Sequence, residues 1–320
     1  MSGSMRFRAL LFVLPFALAS RAAGALEALQ VAPGVYAVAG ASGTPEPHNR
    51  GDVANAGFIV GATGVVVIDT GTSMRFGRDL LRAIRAVTDR PVALVILTHA
   101  DQEFVFGAGA FADAGAEISA HRETIALMSA RCGHCLDRLR PILGHDLDET
   151  RLVLPTRAFE TSLRLPAGGT LIDVLHFGWA STPGDVVVFH PPSGVAFAGG
   201  MVVSGHIPRI RDCDFRGWQS ALARLRALPI RRIVPGFGPV GGPEAIDATA
   251  GYLRALDDRV QALYRAGVSL LDAPAQSDLA EYRGWAAYEA HHRQNALHRY
   301  LQLEIEDLGG DPRSTALPGR

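Results

Sequence analysis

Lysine is missing from this chain: all 31 of its basic residues are arginine. No lysine nucleophile or Schiff base is therefore available. Neither sign of charge dominates, since the formal net charge is -1, so no basic field draws the protein toward nucleic acid. No G-x-S-x-G elbow occurs, which leaves a serine-hydrolase reading without a nucleophile. Long apolar runs are absent apart from one near the start, Ala9 to Ala19. That run is too short to span a bilayer comfortably.

What is present begins with that run. Arg6 and Arg8 precede it and the small residues of "SRAAGALEA" follow it, the three-part pattern of a secretory signal. Residues 1–25 are expected to be an export signal cut after Ala19 or Ala25, with Met5 as a second candidate start. The mature chain is then expected to be periplasmic or secreted, with no transmembrane segment. Export changes how the three cysteines read. In an oxidising compartment Cys132 and Cys135 of "CGHC" are expected to form a disulfide, with Cys213 left apart.

At 320 residues and 48% hydrophobic, the chain can bury one large core or two fused halves. The β-branched runs "GVYAVAG", "NAGFIVG" and "GVVVIDTG", bounded by glycine, predict consecutive strands. Helical spacing follows over Met74 to Asp89, then "PVALVILTH" predicts a fully buried strand ending at His99. "AEISAH" predicts another strand, and Arg122 to Leu143 a helix holding the "CGHC". Further on, "RLVLP", "TRAFE", "SLRLP" and "TLIDVLHFG" predict a meander, and two strands flank the turn "PPSG". A helix over Gly217 to Leu228, the strand "RRIVPG", a helix from Glu244 to Ala266 and a helix-rich end over Asp278 to Asp307 complete the pattern. Strand clusters followed by helix, twice over, predict two α/β halves packed sheet to sheet with helices outside.

Several landmarks in this order resemble the metallo-β-lactamase superfamily. "VVVIDTG" resembles its strand ending beside the metal site, matched by Asp69 and Gly71. "VILTHADQEFVFGAGAF" resembles the strand, metal loop and helix start that follow. "GWASTPGDVVVFHPPSGVAFAGGMVV" has the cadence of the family's G-x-x-H-T-x-G-D segment and its two strands, and "IVPGFGPVG" the form of x-x-P-G-H-G-P. The resemblance covers about Val35 to Gly242. It implies an αββα four-layer sandwich over residues 26–243, a C-terminal helical extension over 244–308 and a flexible tail over 309–320. "GDVANAGFIVG", "RCGHCLDRLRPILG", "RGWQSALARL" and "HRQNALHRYLQLE" resemble exported members called quinoprotein relay system zinc metallohydrolases, which implies an association with quinoprotein systems.

The same resemblance implies zinc, held by imidazole, thiolate or carboxylate with one position open for water. The first metal's three histidine places hold His99, Asp101 and Ser181 in this chain. The second metal's places hold Glu103, Phe104 and Phe237, and the bridging carboxylate's place holds Gly200. Phenylalanine cannot donate to a metal and glycine has no side chain, so the second site is lost as a family-type site. At the first, a serine hydroxyl is a poor zinc ligand. Glu103 could join His99 and Asp101 in a harder, oxygen-rich site, or lie buried against an arginine with no metal. Phenylalanine at two ligand places fills space that would otherwise be wet and polar, which points to an inactive relative.

Other histidines and the cysteine pair yield less. The "CGHC" falls mid-helix, without the strand that precedes a redox motif, and Leu136 after the second cysteine excludes a c-type haem site. Metal binding by Cys132, His134 and Cys135 lacks a fourth ligand. His121 and His176 are expected to be hydrogen-bonded structural residues, and His206 borders the cleft. His291, His292 and His298 are expected on a solvated helix face. A triad of Ser181, His99 and Asp101 has no ordering in sequence.

Three functions follow. The first is an exported, catalytically degenerate protein that binds a small molecule or a protein partner, with no cofactor. The second is a hydrolase using one metal on His99, Asp101 and Glu103. The third is a thiol–disulfide protein using Cys132 and Cys135.

Overall fold

A computed structural model describes residues 26–315. The expected export signal over 1–25 and the end of the expected tail lie outside the described residues. Two sheets form the centre of the molecule. The first has seven strands in sequence order: β1 (Ala28–Ala32), β2 (Val35–Val38), β3 (Ala56–Val60), β4 (Val65–Ile68), β5 (Val92–Leu97), β6 (Glu117–His121) and β7 (Arg157–Phe159). Pairing is antiparallel through β4 and parallel from there on. The second sheet orders β12 (Arg232–Val234), β11 (Val195–Phe197), β10 (Val187–His190), β9 (Thr170–Leu175) and β8 (Leu163–Ala167), with only β11 and β12 parallel.

Helices cover both outer faces. They are α1 (Met74–Val87), α2 (Gln102–Val105), α3 (Ala108–Asp113), α4 (Arg122–Leu143), α5 (Phe215–Arg226), α6 (Glu244–Arg265), α7 (Ala273–Gln276) and α8 (Tyr288–Asp307). The result is an αββα sandwich with a C-terminal helical segment, α6 to α8. Among the described residues no helix is long and apolar enough to cross a membrane.

The two-residue period of a strand explains why the runs are apolar without interruption. On β4, Val65 and Val67 face α1 and α4, while Val66 and Ile68 face the other sheet. On β5, Val95 and Leu97 take the helix side and Leu94 and Ile96 the sheet side. On the second sheet, Ile233 meets the helices and Val234 the inter-sheet layer. Both faces of these strands are buried, so alternation of polar with apolar residues disappears. Each layer removes aliphatic side chains from water at about 25 cal/mol per Å².

One expectation from the sequence needs correction here. "RLVLP", residues 151–155, forms no strand, because the sheet edge at β7 is already taken by Arg157–Phe159 pairing with β6. Within the described part of the C-terminal end, Pro312–Thr315 form a short 3-10 turn, and Arg313, inside it, pairs with Asp311 and lies near Asp214.

Inter-sheet packing is close at Gly57 on β3. A Cβ there would lie 2.2 Å from Phe197 Cε1 and 2.6 Å from the Tyr36 carbonyl oxygen. Gly57→Ala should therefore destabilise the protein by ~1–3 kcal/mol through overpacking, measured by urea unfolding. Adding Phe197→Leu should recover part of the loss, since the ring can be removed but the backbone carbonyl cannot.

Candidate functional site

The site lies where β4 and β5 end. Asp69, just past β4, is buried and holds a left-handed backbone (φ 60°), an unusual state for a non-glycine residue. That turn directs its carboxylate at Thr98, whose backbone N–H donates to Asp69 Oδ1 at 2.8 Å and whose hydroxyl donates to Oδ2 at 2.8 Å. Burial pushes Asp69 up to about 6, against the pull of His99 and the Thr98 donors. Thr98 Oγ1 is also 2.9 Å from His99 Nδ1. Asp69 thus fixes Thr98, and Thr98 fixes the His99 ring.

His99 is buried, and its Nε2 has no hydrogen-bond partner. The nearest acid is Asp101 Oδ2 at 3.7 Å. Burial works against a charged imidazole, but Asp101, with Asp185 and Asp69, outweighs it and holds His99 above its ordinary pKa. The ring lies directly over Gly200, where a Cβ would come within 2.6 Å of Nε2. Any side chain at position 200 would displace the imidazole.

The acidic side chains of the loop are bound to a cation, and the cation is an arginine. Arg209 Nη2 donates to Glu103 Oε2 at 2.6 Å and to Asp101 Oδ2 at 3.0 Å. Glu103 is only 2% exposed, Arg209 and Asp101 about a third. Burial alone would raise Asp101, but Arg209 and His99 hold it well below the usual carboxylate range. Arg209 itself is raised by Asp101 and Glu103 in spite of burial.

Aromatic rings occupy the rest of the loop's surroundings. His99 packs on Phe104 (4.2 Å between centroids), Phe104 meets Phe237 edge-on (5.3 Å), and Phe237 stacks on His206 (4.4 Å). Such pairs add about 0.5–1.5 kcal/mol each beyond their buried area. His206 Nε2 lies 3.2 Å from the Gly43 carbonyl, and burial brings its pKa down to about 4. Ser181 is not directed at this centre as a donor: its hydroxyl donates to Asp185 Oδ2 at 2.7 Å. Thr182 N donates to the same oxygen at 2.8 Å. Asp185, raised by burial, is satisfied by these neighbours. His121 and His176 stack on each other at 4.1 Å and bond the carbonyls of Glu160 and Asp185.

A cavity of about 490 Å³ opens beside the loop. One wall is α4, another the segment 206–212, and a third is α8. The third wall corrects an expectation. His292 is buried, with Nδ1 3.1 Å from Tyr252 Oη and Nε2 3.0 Å from the Ser277 carbonyl, and His291 and His298 line the cavity. The buried side of α8 carries His292, Asn295, Arg299 and Gln302, so its polar composition mimics a solvated face. Asn295 also fixes Arg209 from behind: its Nδ2 donates to the Pro208 carbonyl at 2.7 Å and its Oδ1 accepts from Ile210 N at 3.3 Å. Arg209 and Asn295 were not singled out in the sequence. The only signal was the R-x-R spacing in "HIPRIRD".

This arrangement places the chain among known proteins. Residues 49–236, more than half of the chain, match the family model described as the metallo-beta-lactamase superfamily. The chain belongs to the metallo-beta-lactamase superfamily. A solved metallo-beta-lactamase from Pontibacter korlensis is 22% identical over 72% of this chain and 99% of its own, with a TM-score of 0.59. The metallo-beta-lactamase FIM-1 from Pseudomonas aeruginosa, in its mono-zinc form, is 17% identical over 72% and 95%, with a TM-score of 0.59. One from Erythrobacter litoralis, solved with beta mercaptoethanol in the active site, is 20% identical over 72% and 97%, with a TM-score of 0.58. At these identities the likeness is one of fold. The family match stops before α6, so α8, which closes the cavity, lies outside it.

Zinc, which the superfamily implies, does not fit the donors present. Among the described residues no three His, Cys, Asp or Glu side chains are grouped to hold a metal ion. His99 Nε2 is an orphan that could donate, but Arg209 already binds Asp101 and Glu103, and Gly200 has no room for a carboxylate. Four-coordinate zinc needs three protein donors as well as water.

The expected disulfide is also corrected: Cys132, Cys135 and Cys213 are all free thiols. On the continuous helix α4 each thiol has its own partner. Cys132 Sγ donates to the Ala100 carbonyl at 3.4 Å, and Cys135 Sγ accepts from Arg138 Nη2 at 3.4 Å. Burial pushes Cys132 and Cys213 up to about 12, far from the lowered pKa of a redox nucleophile.

Two measurements test this geometry. Arg209→Met should cost ~2 kcal/mol at about pH 7 by urea unfolding, less than for a fully buried pair because Arg209 is 36% exposed. Asp101, lowered in the fold, contributes stability above its unfolded pKa and loses it as pH falls through the folded value. The Arg209→Met deficit should therefore shrink as pH falls below about 4, where Asp101 begins to lose its charge. Thiol titration should find one fast-reacting group, half-buried Cys135, in the native protein and three after unfolding, with or without prior reductant. Two thiols missing without reductant would restore the disulfide.

Proposed function

We propose that this protein is a non-catalytic member of its superfamily that uses the old active-site cleft to bind a ligand. The observation that carries the reading is the Arg209 guanidinium, bound to both Asp101 and Glu103. A fixed organic cation takes up the acidic side chains that a metal would need. Phe104, Phe237 and Gly200 stand where the resemblance expects ligands, and the rings of the first two are packed into a continuous aromatic stack. A cavity is nonetheless kept, of the size that takes small organic molecules. On the sequence pattern of its first 25 residues and the likeness of its "CGHC" and C-terminal helices to the exported quinoprotein-relay subgroup, we assign it a periplasmic or secreted place and an accessory role.

Metal analysis of protein purified without chelator tests this. Zinc, iron, calcium and magnesium should each be well below one per chain, and His99→Ala should not change the content. Hydrolysis of a chromogenic β-lactam should show no zinc-dependent turnover. A stoichiometric metal that His99→Ala abolishes would make it a single-metal hydrolase instead.

A further inference from the structure

We propose that the outer half of the cleft, between α4 and the segment 206–212, is a binding site for an organic anion with an apolar body. The inference rests on the binding reading above and names its ligand class. One face of α4 presents Leu127, Arg131, Cys135, Arg138, Leu139 and Ile142 to the cavity. Apart from adjacent Arg138 and Leu139, they are spaced by three or four residues, which sets them along one face that carries both guanidinium groups and aliphatic side chains. Ile142 is 44% exposed, an apolar side chain left open at the rim. Arg211 lines the facing segment.

Charge in the cavity is unevenly spread. Arg131, Arg138 and Arg211 all line the cavity, and among the described residues Asp212 is the one carboxylate bonded to any of them. Asp212 accepts from Arg131 at 2.6 Å and from Arg211 at 3.0 Å. Arg138 has no carboxylate partner among the described residues, and its one recorded polar contact is the Cys135 thiol. At the inner end the balance reverses, because Arg209 faces both Asp101 and Glu103. An anionic head is thus favoured at the outer end and repelled from the inner one. Planar guanidinium groups match carboxylate and phosphate oxygens with paired donors. The aliphatic side chains of the α4 stripe offer a place for an attached chain or ring. Trp179 donates from its indole to the Asp212 carbonyl at 2.7 Å, so a ligand at Asp212 should alter tryptophan emission.

The test is titration of the whole protein, followed by tryptophan fluorescence and calorimetry, with octanoate, octyl phosphate, octanol and octyltrimethylammonium. The two anions should bind at least about tenfold tighter than the alcohol or the cation, and more weakly as ionic strength rises. Arg138→Gln and Arg211→Gln should each weaken octanoate about tenfold while leaving octanol unchanged. Arg138 is exposed, so its variant should keep the wild-type melting temperature. Octanoate should also slow alkylation of Cys135. Equal affinity for octanol and octanoate, an unchanged octanoate affinity in both variants, or no binding of any probe would each overturn the proposal. Metal content measured on the same preparation separates the two readings. A metal-free protein without anion preference fails this inference alone, whereas stoichiometric metal fails the non-catalytic one.

Discussion

One guanidinium group satisfies the two acidic side chains of the loop that follows β5, and much of the site depends on that contact. Glu103 is almost fully buried, and a buried carboxylate without a partner is among the costlier defects a fold can carry. Arg209 removes the defect by hydrogen bonds at 2.6 and 3.0 Å to Glu103 and Asp101. With the charge compensated internally, the loop has no electrostatic need for a divalent ion. The surrounding substitutions agree with this. Phe104 packs on His99 and meets Phe237 edge-on, and the lack of a side chain at Gly200 leaves room for the His99 ring. Behind the loop lies its support: Asp69 holds Thr98, and Thr98 holds His99.

The C-terminal helix makes the contact durable. Asn295 bonds the backbone on both sides of Arg209, which limits how far the segment 206–212 can move. Asn295 is in turn bonded to Tyr252 Oη, and Tyr252 to His292. Arg299, also buried on α8, bonds Asp257 at 2.7 Å and Glu306 at 2.8 Å and lies over the Phe215 ring. A polar network of this kind stabilises only when every member is paired. Here the members are, so a helix rich in His, Asn and Arg docks as firmly as an apolar one and forms one wall of the cleft.

The fold was largely legible in the sequence. Apolar runs bounded by glycine marked β2, β3 and β4, an uninterrupted apolar run marked β5, and helical spacing marked α1 and α4, because burial on both faces or on one face writes itself into the residue pattern. That Phe104, Phe237 and Gly200 bring no side-chain donor atoms to the site was legible as well, whatever their geometry. The buried character of His292 was not legible. Its environment is set by Tyr252 and Ser277, 40 and 15 residues away in the chain, and no local period encodes that. Nor was the free state of Cys132 and Cys135, because the compartment suggested pairing while the helix gave each thiol a separate partner.

By itself, then, the sequence determined the family framework, most of the strand and helix order and the lack of donor atoms at Phe104, Phe237 and Gly200, all properties of residue type and short-range spacing. Tertiary structure alone decided which cation meets Asp101 and Glu103, that α8 forms a wall of the cleft, and that Arg131 and Arg211 meet on Asp212. Those facts join residues as far apart as Asp101 and Arg209, or Arg131 and Arg211. Coulomb interaction depends on distance in space, and only the folded backbone sets that distance.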